Sequence, residues 1–360
     1  MEFTDLTDLP EIYEETLLYL PYDDIISLCV SHPDLSYICS DNRFWRRKVR
    51  RDFHVERLKP EGISYRQQYK DLITFDNPDR AAAEGRLDIL IVLKEKDNIL
   101  PDVAGANWAA RNGDLPMLEW LEKYNILPNF GGANWAAGNG DLPILEWLEK
   151  RRILPGREGA NKAAENGHLP VLKWLEKRNI LPDKRGANLA ARHNHFHVLE
   201  WLASEERHIL PDETGANYAA EKGDMHLLEW LEDHDRLPNK TGANLAAENG
   251  HLHVLEWLAV EERDILPSQV GVNRAAENGH LHVLKWLEKR DRLPNEHGAN
   301  QAAGNGHLPV LIWLEKYNIL PNHYGADLAA RRPHTSHILK WLEERNIFRS
   351  RRNPFYPLKR

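Results

Sequence analysis

A 27-residue repeat constrains the fold of this chain more than any other feature of its sequence. One unit, Gly298 to Pro321, reads GANQAAGNGHLPVLIWLEKYNILP. The successive spacings of its opening glycine are 27, 27, 27, 29, 27, 29, 27 and 27 residues. The glycines are Gly105, Gly132, Gly159, Gly186, Gly215, Gly242, Gly271, Gly298 and Gly325. A fixed period in this range indicates stacked supersecondary units that bury their apolar faces against one another, so the sequence predicts a solenoid.

Each unit predicts two helices. The small residues of 299–303 allow a short first helix to pack closely, and Asn305-Gly306 ends it, because glycine readily takes the left-handed conformation found after helices. Pro309 suits the first turn of a second helix, and apolar residues then follow at helical spacing as far as Leu320-Pro321. The predicted class is all-α, with a helix, a tight turn, a helix and a short connection in each unit.

Two points of variation support this assignment. One unit replaces the turn glycine with Asn194, the residue type that best tolerates the same conformation. The two longer units carry their extra residues at one place, within 203–207 and 259–263, which predicts a loop or a helix end there.

The repeat resembles the ankyrin repeat. Thr241–Ala247, TGANLAA, lies where ankyrins place TPLHxAA, and Asn249–Leu258, NGHLHVLEWL, lies over the ankyrin NGHLxVVxLL. The resemblance extends from about Asp76 to Asn346. The period is shorter than the 33 residues of ankyrins, and the missing residues belong to their projecting β-hairpin. The resemblance therefore implies binding in a groove lined by the first helices and not at hairpin tips.

The first 74 residues lack the repeat and resemble an F-box. Leu9–Ile12, Leu17–Pro21, Asp24–Val30 and Phe44–Arg46 match, in order, the F-box patterns LPxEI, LxxLP, D(I/L)xxLxxV and (F/L)WR. Pro33-Asp34 departs from the family, which places tryptophan or arginine after its second helix. The resemblance implies docking on the Skp adaptor of a cullin-based ubiquitin ligase. The implied surface comprises Leu9, Pro10, Ile12, Leu17, Leu20, Pro21, Ile25, Leu28 and Val30.

These patterns predict four parts. Residues 1–53 form the F-box-like domain, 54–74 a linker helix, 75–347 an ankyrin-like array of about ten units with irregular ends, and 348–360 a basic tail. Pairing an F-box with ankyrin-like repeats resembles proteins encoded by large DNA viruses, which would use a host ligase.

The candidate target-binding residues are those that vary within the repeat, on the exposed face of the first helix. They occupy the position after the Gly-Ala-Asn motif and the position three residues later, and such a pair shares one helix face. Tryptophan and arginine are enriched at binding hot spots, although neutral variation on a solvent face also explains single positions. The candidates are Trp108, Arg111, Trp135, Lys162, Glu165, Arg192, Tyr218, Glu221, Arg274 and Glu277.

Other repeated residues favour structural roles. His193, His195 and His197 could suggest a metal site, but they occupy positions repeated in other units, and the array contains no cysteine. We predict no metal, no cofactor and no catalytic site, since no phosphate loop, nucleophile elbow or metalloprotease motif occurs. A tryptophan repeats on the second helices, where packing between units is favoured over base stacking. The tryptophans are Trp120, Trp147, Trp174, Trp201, Trp230, Trp257, Trp286, Trp313 and Trp341.

The basic residues within 46–51 suit the exposed side of a helix that starts at Trp45, with a nuclear-import signal or a phosphate patch as alternatives. The net charge of −8 is taken to argue against a nucleic-acid partner. No apolar run has the length of a membrane span, and the acidic start is not a signal peptide. Two cysteines, Cys29 and Cys39, cannot make a disulfide framework, which favours a reducing compartment.

Together these features predict an intracellular, cytoplasmic protein, with nuclear localisation as an alternative and a host cell as the location if it is viral. It would be a monomer outside its complex and perform no chemistry. We expect a substrate-recognition adaptor of a Skp–cullin–F-box ubiquitin ligase that binds an unidentified target in its groove. The alternative is an ankyrin-like scaffold or inhibitor that acts without a ligase.

Overall fold

The computed structural model describes residues 10–261 and 263–347, except the side chains of residues 10–13 and Glu56. Every regular element in this part of the chain is a helix, which confirms the predicted all-α repeat fold. The chain divides into two compact units, Met1–Gly159 and Ala160–Arg360, and each is described by itself. Within the described ranges, no helix has the length and apolarity needed to cross a membrane. The predicted basic tail, 348–360, lies outside the described residues.

From residue 10 onwards, where the described part of the chain begins, five helices precede the array in the first unit. They are α1 (Pro10–Leu17), α2 (Tyr22–Ser31), α3 (Ser36–Ser40), α4 (Asn42–Phe53) and α5 (Tyr65–Thr74). Short 3₁₀ turns lie at Pro33–Leu35 and Glu56–Leu58. Trp45 is fully buried beside Phe44, and its indole N–H donates to the carbonyl oxygen of Cys39 at 2.9 Å. The pattern Phe44-Trp45 thus supplies the core of this segment.

Lys48 is an exception to the expectation that the basic cluster forms the exposed side of α4, whereas the four arginines of the cluster are exposed, as expected. Only 1% of Lys48 is exposed, and its Nζ donates to the carbonyl oxygen of Leu18 at 2.9 Å and to Asp52 Oδ2 at 3.0 Å. Carbonyls at the end of a helix lack intrahelical donors and favour a nearby cation, and α1 ends at Leu17. Arg47, also on α4, forms ion pairs with Glu14 and Glu15 of α1. The cluster therefore fastens α1 to α4.

Cys29 and Cys39 are joined by a disulfide that links α2 to α3, with the two Cα atoms 6.3 Å apart. The small number of cysteines was expected to indicate a reducing compartment. Since the two cysteines are bonded to each other, their number does not support that inference. The intracellular location stays a prediction.

The rest of the first unit belongs to the repeat array and consists of pairs of short helices. They are α6 (Pro78–Ala83), α7 (Leu87–Asp97), α8 (Val103–Arg111), α9 (Leu115–Glu122), α10 (Phe130–Gly138) and α11 (Leu142–Glu149). The next helix, α12, is Arg157–Glu165. The predicted degenerate first repeat is therefore the pair α6 and α7.

The second unit repeats the same pair. Its first helices are α14 (Lys184–Arg192), α16 (Glu213–Lys222), α18 (Lys240–Glu248), α20 (Gln269–Glu277), α22 (Glu296–Asn305) and α24 (His323–Ala330). Its second helices are α13 (Leu169–Glu176), α15 (Phe196–Ala203), α17 (Met225–Glu232), α19 (Leu252–Leu258), α21 (Leu281–Glu288), α23 (Leu308–Glu315) and α25 (Ser336–Glu344).

Within each unit, consecutive first helices pack side by side more closely than consecutive second helices do. The reason lies in residue size, since the first helices meet through buried alanines such as Ala243, Ala246 and Ala247, whereas the second helices bury leucine and valine. The turn between the two helices is as predicted. Gly250 has φ of +78°, and Asn194, which replaces the glycine, has φ of +57°.

Helix α5, predicted to be a linker, is fastened to the first repeat by a buried polar network. The guanidinium of Arg86 donates to Asp71 at 2.6 Å and to both oxygens of Asp88 at 2.9 and 3.0 Å. The amide of Gln68 also donates to Asp88, at 2.9 Å. Asp88 is fully buried, and charge-assisted bonds of this kind are stronger than neutral ones. The segment before the repeats therefore packs directly on α7.

The repeated tryptophans pack between neighbouring repeats, as predicted, and Trp147 is an example. Trp147 is 8% exposed, with the guanidinium carbon of Arg151 3.5 Å from its ring centroid. Arg151 also pairs with Glu122 of the preceding repeat. In the longer repeats the arginine stands two residues further along the chain, yet Arg207 still lies over Trp201 at 4.2 Å. The two extra residues are thus absorbed in the loop after the second helix.

Candidate protein-binding surface

The asparagine of the Gly-Ala-Asn motif connects each repeat to the next. The Oδ1 atom of Asn217, for example, accepts a hydrogen bond from the backbone N–H of Asn239 at 3.0 Å. This asparagine stands where the ankyrin pattern TPLHxAA has histidine. A polar residue that recurs in the middle of every first helix is a signal of a buried partner. The same bond is made by Asn107, Asn134, Asn161, Asn188, Asn217, Asn244, Asn273 and Asn300.

The glycine of the same motif is required by this bond. A Cβ atom at Gly242 would lie 2.5 Å from the Oδ1 of Asn217 and 2.7 Å from the Cβ of Pro238. Real Cβ atoms essentially never approach other atoms below 3.0 Å. Gly-Ala-Asn is therefore a structural motif, and its residues are not available to a partner.

The turn histidines are also structural. The Nε2–H of His251 donates to the carbonyl oxygen of Glu221 in the preceding repeat at 3.0 Å. Burial lowers the pKa of His251, His280 and His307, and of His195, where His197 and His193 add to the effect. A lowered pKa keeps the imidazoles neutral near pH 7.

His193, His195 and His197 belong to this pattern. The Nε2–H of His197 donates to the carbonyl oxygen of Gly167 at 3.0 Å, and His193 lies 3.8 Å from Glu165. Among the described residues, no group of three or more His, Cys, Asp or Glu side chains is arranged to hold a metal ion.

What remains is the row of variable residues on the first helices, here called the first-helix row. In the first unit the row holds Trp108, Arg111 and Trp135. The two indole rings lie 5.4 Å apart with an angle of 37° between them. The guanidinium carbon of Arg111 lies 4.7 Å from the Trp108 ring centroid and 5.3 Å from that of Trp135. Arg111 is exposed and both tryptophans are half-buried, so the structure brings these three predicted residues into one accessible cluster.

The second unit has a more polar first-helix row, with the predicted residues Lys162, Glu165, Arg192, Tyr218, Glu221, Arg274 and Glu277. Every one of them is exposed or half-buried. Arg192 lies over the ring of Tyr218 at 5.1 Å, which repeats the arginine–aromatic arrangement of the first unit. Arg274 instead forms an ion pair with Glu248. The row is accessible in both units, but its aromatic cluster lies in the first.

The predicted Skp-docking surface is only partly exposed. Leu17 and Ile25 are buried, at 4% and 0% exposure, so they support the helices and do not form a docking surface. Burial follows from the helical period, which turns these two side chains towards the core. Leu20 and Leu28 are half-buried, and Pro21 and Val30 are exposed. Leu9 and the side chains of Pro10 and Ile12 lie outside the described residues.

Comparison with known proteins gives a distant similarity in fold. No family model matches the sequence, and no curated protein matches it. Similar solved structures include the maize pentatricopeptide repeat protein PPR10, at 14% identity and a TM-score of 0.44 over 93% of this chain and 60% of that one. Two complexes of PPR10 with an 18-nt psaJ RNA element match at 13% identity and a TM-score of 0.44, over 94% of this chain and 53% of theirs. The chain thus spans somewhat more than half of their length.

These RNA complexes correct one expectation from the sequence. Net charge was taken to argue against a nucleic-acid partner, yet similar solved structures of helical repeat proteins contain RNA. That exclusion is wrong, because net charge describes the whole chain and a partner contacts only one surface. The fold and the accessible row define the class of the chain: it is an all-helical repeat protein.

Proposed function

We propose that this chain is a binding adaptor that performs no chemistry itself. The first-helix row would bind a target protein, and the helices of residues 10–53 would dock on the Skp adaptor of a cullin ubiquitin ligase. An adaptor of this kind acts by effective concentration, since it holds the target close to the enzyme that modifies it.

One observation supports the binding role above the others. The Asn, Gly, His and Trp residues that recur in the repeat have structural contacts, whereas the variable first-helix row stays accessible in each unit. The row is also where aromatic and charged residues replace one another from repeat to repeat. Variation confined to one accessible face is expected of a repeat protein that recognises a partner.

The docking role is supported by the F-box-like motifs and by exposed apolar residues in the same segment, one on α2 and one in the turn between α1 and α2. Val30 is 78% exposed and Tyr19 is 70% exposed. Large exposed apolar side chains are found at interaction sites.

Binding of purified Skp adaptor to the full-length protein tests this proposal. We expect the wild-type chain to bind and Val30→Asp to weaken binding at least about tenfold, because a charge would be buried at the interface. Val103→Asp is the matched control, since Val103 is also exposed, at 44%, but lies on α8 of the array. A folded wild-type chain that does not bind would overturn the ligase role and favour a scaffold or inhibitor that acts without a ligase.

A further inference from the structure

Arg111 differs from the other arginines that lie over indole rings, because each of those donates a hydrogen bond to the carbonyl oxygen of its own tryptophan. Arg151, Arg207 and Arg263 each cover a tryptophan of a second helix and each pair with a glutamate of the preceding repeat. Arg111 covers two tryptophans, yet among the described residues its side chain has no carboxylate partner and donates no hydrogen bond. Its charge is therefore not neutralised within the described chain.

The surroundings of Arg111 leave room for a ligand. The equivalent position in the repeat before it is Ala83, and in the repeat after it is Gly138. The arginine thus stands between two small residues on neighbouring helices. The indole N–H groups of Trp108 and Trp135 also have no acceptor among the described residues. The cluster offers unused donors beside two apolar ring faces.

We propose that the cluster of Trp108, Arg111 and Trp135 binds an acidic–apolar segment of a protein partner. A carboxylate of the partner would accept hydrogen bonds from the Arg111 guanidinium, which suits the planar geometry of a carboxylate. An adjacent apolar side chain would lie against the indole rings. This inference rests on the proposed role of the first-helix row and adds the chemistry of its partner.

The charges favour a peptide over a nucleic-acid strand. A strand presents a phosphate at every nucleotide and needs a series of cations along its path. In the part of the first-helix row that belongs to the first unit, Arg80 is the other cation, and it is already paired with Glu84. A single unpaired arginine beside two aromatic rings matches one carboxylate with an apolar neighbour.

A random peptide library displayed on phage, selected against the full-length protein, tests this inference. We expect enrichment of sequences in which Asp or Glu stands next to an apolar residue. Synthetic versions of the enriched peptides should bind at least about tenfold more weakly to Arg111→Gln and to Trp135→Ala, as loss of a charged or aromatic hot spot predicts. Replacing the peptide's acidic residue by its amide should have no further effect in Arg111→Gln.

Arg274→Gln is the matched control, because Arg274 is an exposed arginine of the same first-helix row, at the position that Trp108 occupies in its repeat, but is already paired with Glu248. It should bind the peptides as the wild type does. All variants are compared by thermal unfolding, and since Arg111 is exposed its replacement should leave the fold intact.

Three results would overturn the inference. They are enrichment of neutral or basic peptides, peptide binding that Arg111→Gln leaves unchanged, and tighter binding of a single-stranded oligouridine than of any peptide at this cluster. If peptides bind elsewhere on the first-helix row, only the present inference fails. If neither peptides nor Skp adaptor bind a folded chain, the proposed function fails as well.

Discussion

The Oδ1 atom of Asn188 lies 2.9 Å from the backbone nitrogen of Asp212 and 3.1 Å from that of Gly215, so one side chain satisfies two backbone donors of the following repeat. Asn188 is largely buried, at 9% exposure. The repeats are thus joined by a polar contact as well as by their apolar faces.

Replacing Asn188 with alanine should destabilise the protein by about 1–3 kcal/mol, because two buried N–H groups would lose their acceptor. Urea unfolding followed by circular dichroism measures this loss. Asn249→Ala is the control, since Asn249 is exposed and its side chain, among the described residues, bonds to Leu245 of the helix that it follows and to no other repeat. It should change stability by less than about 0.5 kcal/mol. Equal losses in the two variants would contradict the connecting role of Asn188.

The turn histidines should make the array sensitive to acid. The pKa values of His251, His280 and His307 are lowered in the folded state by burial, so the unfolded chain binds more protons. The stability from the neutral imidazoles is complete above the unfolded pKa of about 6.5 and is lost as the pH falls below it, until the folded pKa values are reached.

The chain itself offers the variant that tests this dependence. Asp224 occupies the same turn position and accepts a hydrogen bond from the N–H of Leu227 at 3.0 Å. With all three histidines replaced by aspartate, the unfolding midpoint should fall less between pH 7.5 and 5.5 than it does in the wild type, because aspartate titrates near pH 4. Parallel pH profiles for the two proteins would show that these histidines do not cause the acid sensitivity.

Arg86→Met should be severely destabilising. It leaves the buried Asp88 without its cation, and removal of one partner from a buried ion pair typically costs about 3–5 kcal/mol. Thermal unfolding of the full chain measures the effect. The same substitution at Arg80, whose pair with Glu84 is exposed to solvent, should cost far less than the loss at Arg86. A small loss at Arg86 would mean that the ion pairs of Arg86 contribute little to holding α5 against α7.

Deleting Glu205 and Glu206 should convert a longer repeat into a 27-residue one without loss of fold. Arg207 would then stand four residues after Trp201, as Arg151 does after Trp147, and both lie over the ring. We expect a change below about 1 kcal/mol in urea unfolding, since exposed loops tolerate changes in length. Deleting Val198 and Leu199 from α15 should abolish cooperative unfolding, because both are buried. If the loop deletion is equally damaging, the extra residues have a structural role of their own.

The sequence predicted the helices and their order because each is a local consequence of period, turn residue and proline. Asn194 shows this well, since its left-handed conformation followed from its alignment with the turn glycines. The accessible first-helix row followed from the same period.

Side chains that act between distant elements could not be predicted in this way. Lys48 belongs to a basic run that resembles a solvated helix face, and only the position of Leu18 reveals why it is buried. The sequence pattern around Leu17 and Ile25 is compatible both with a docking surface and with a buried core, and the structure shows that both side chains are buried. The cluster of Trp108, Arg111 and Trp135 was predicted residue by residue, but the unpaired state of Arg111 depends on carboxylates elsewhere in the fold.

The bond from each asparagine to the following repeat has a consequence for how such a chain can change. Each internal repeat donates backbone N–H groups to the asparagine of the repeat before it, and its own asparagine accepts the same bonds from the repeat after it. A whole repeat can therefore be gained or lost by recombination without leaving a donor or an acceptor unmatched. Each gained repeat also adds two variable side chains to the first-helix row. The array can therefore lengthen or shorten by complete repeats. The residues that bind a partner can vary while the hydrogen bonds between repeats stay the same.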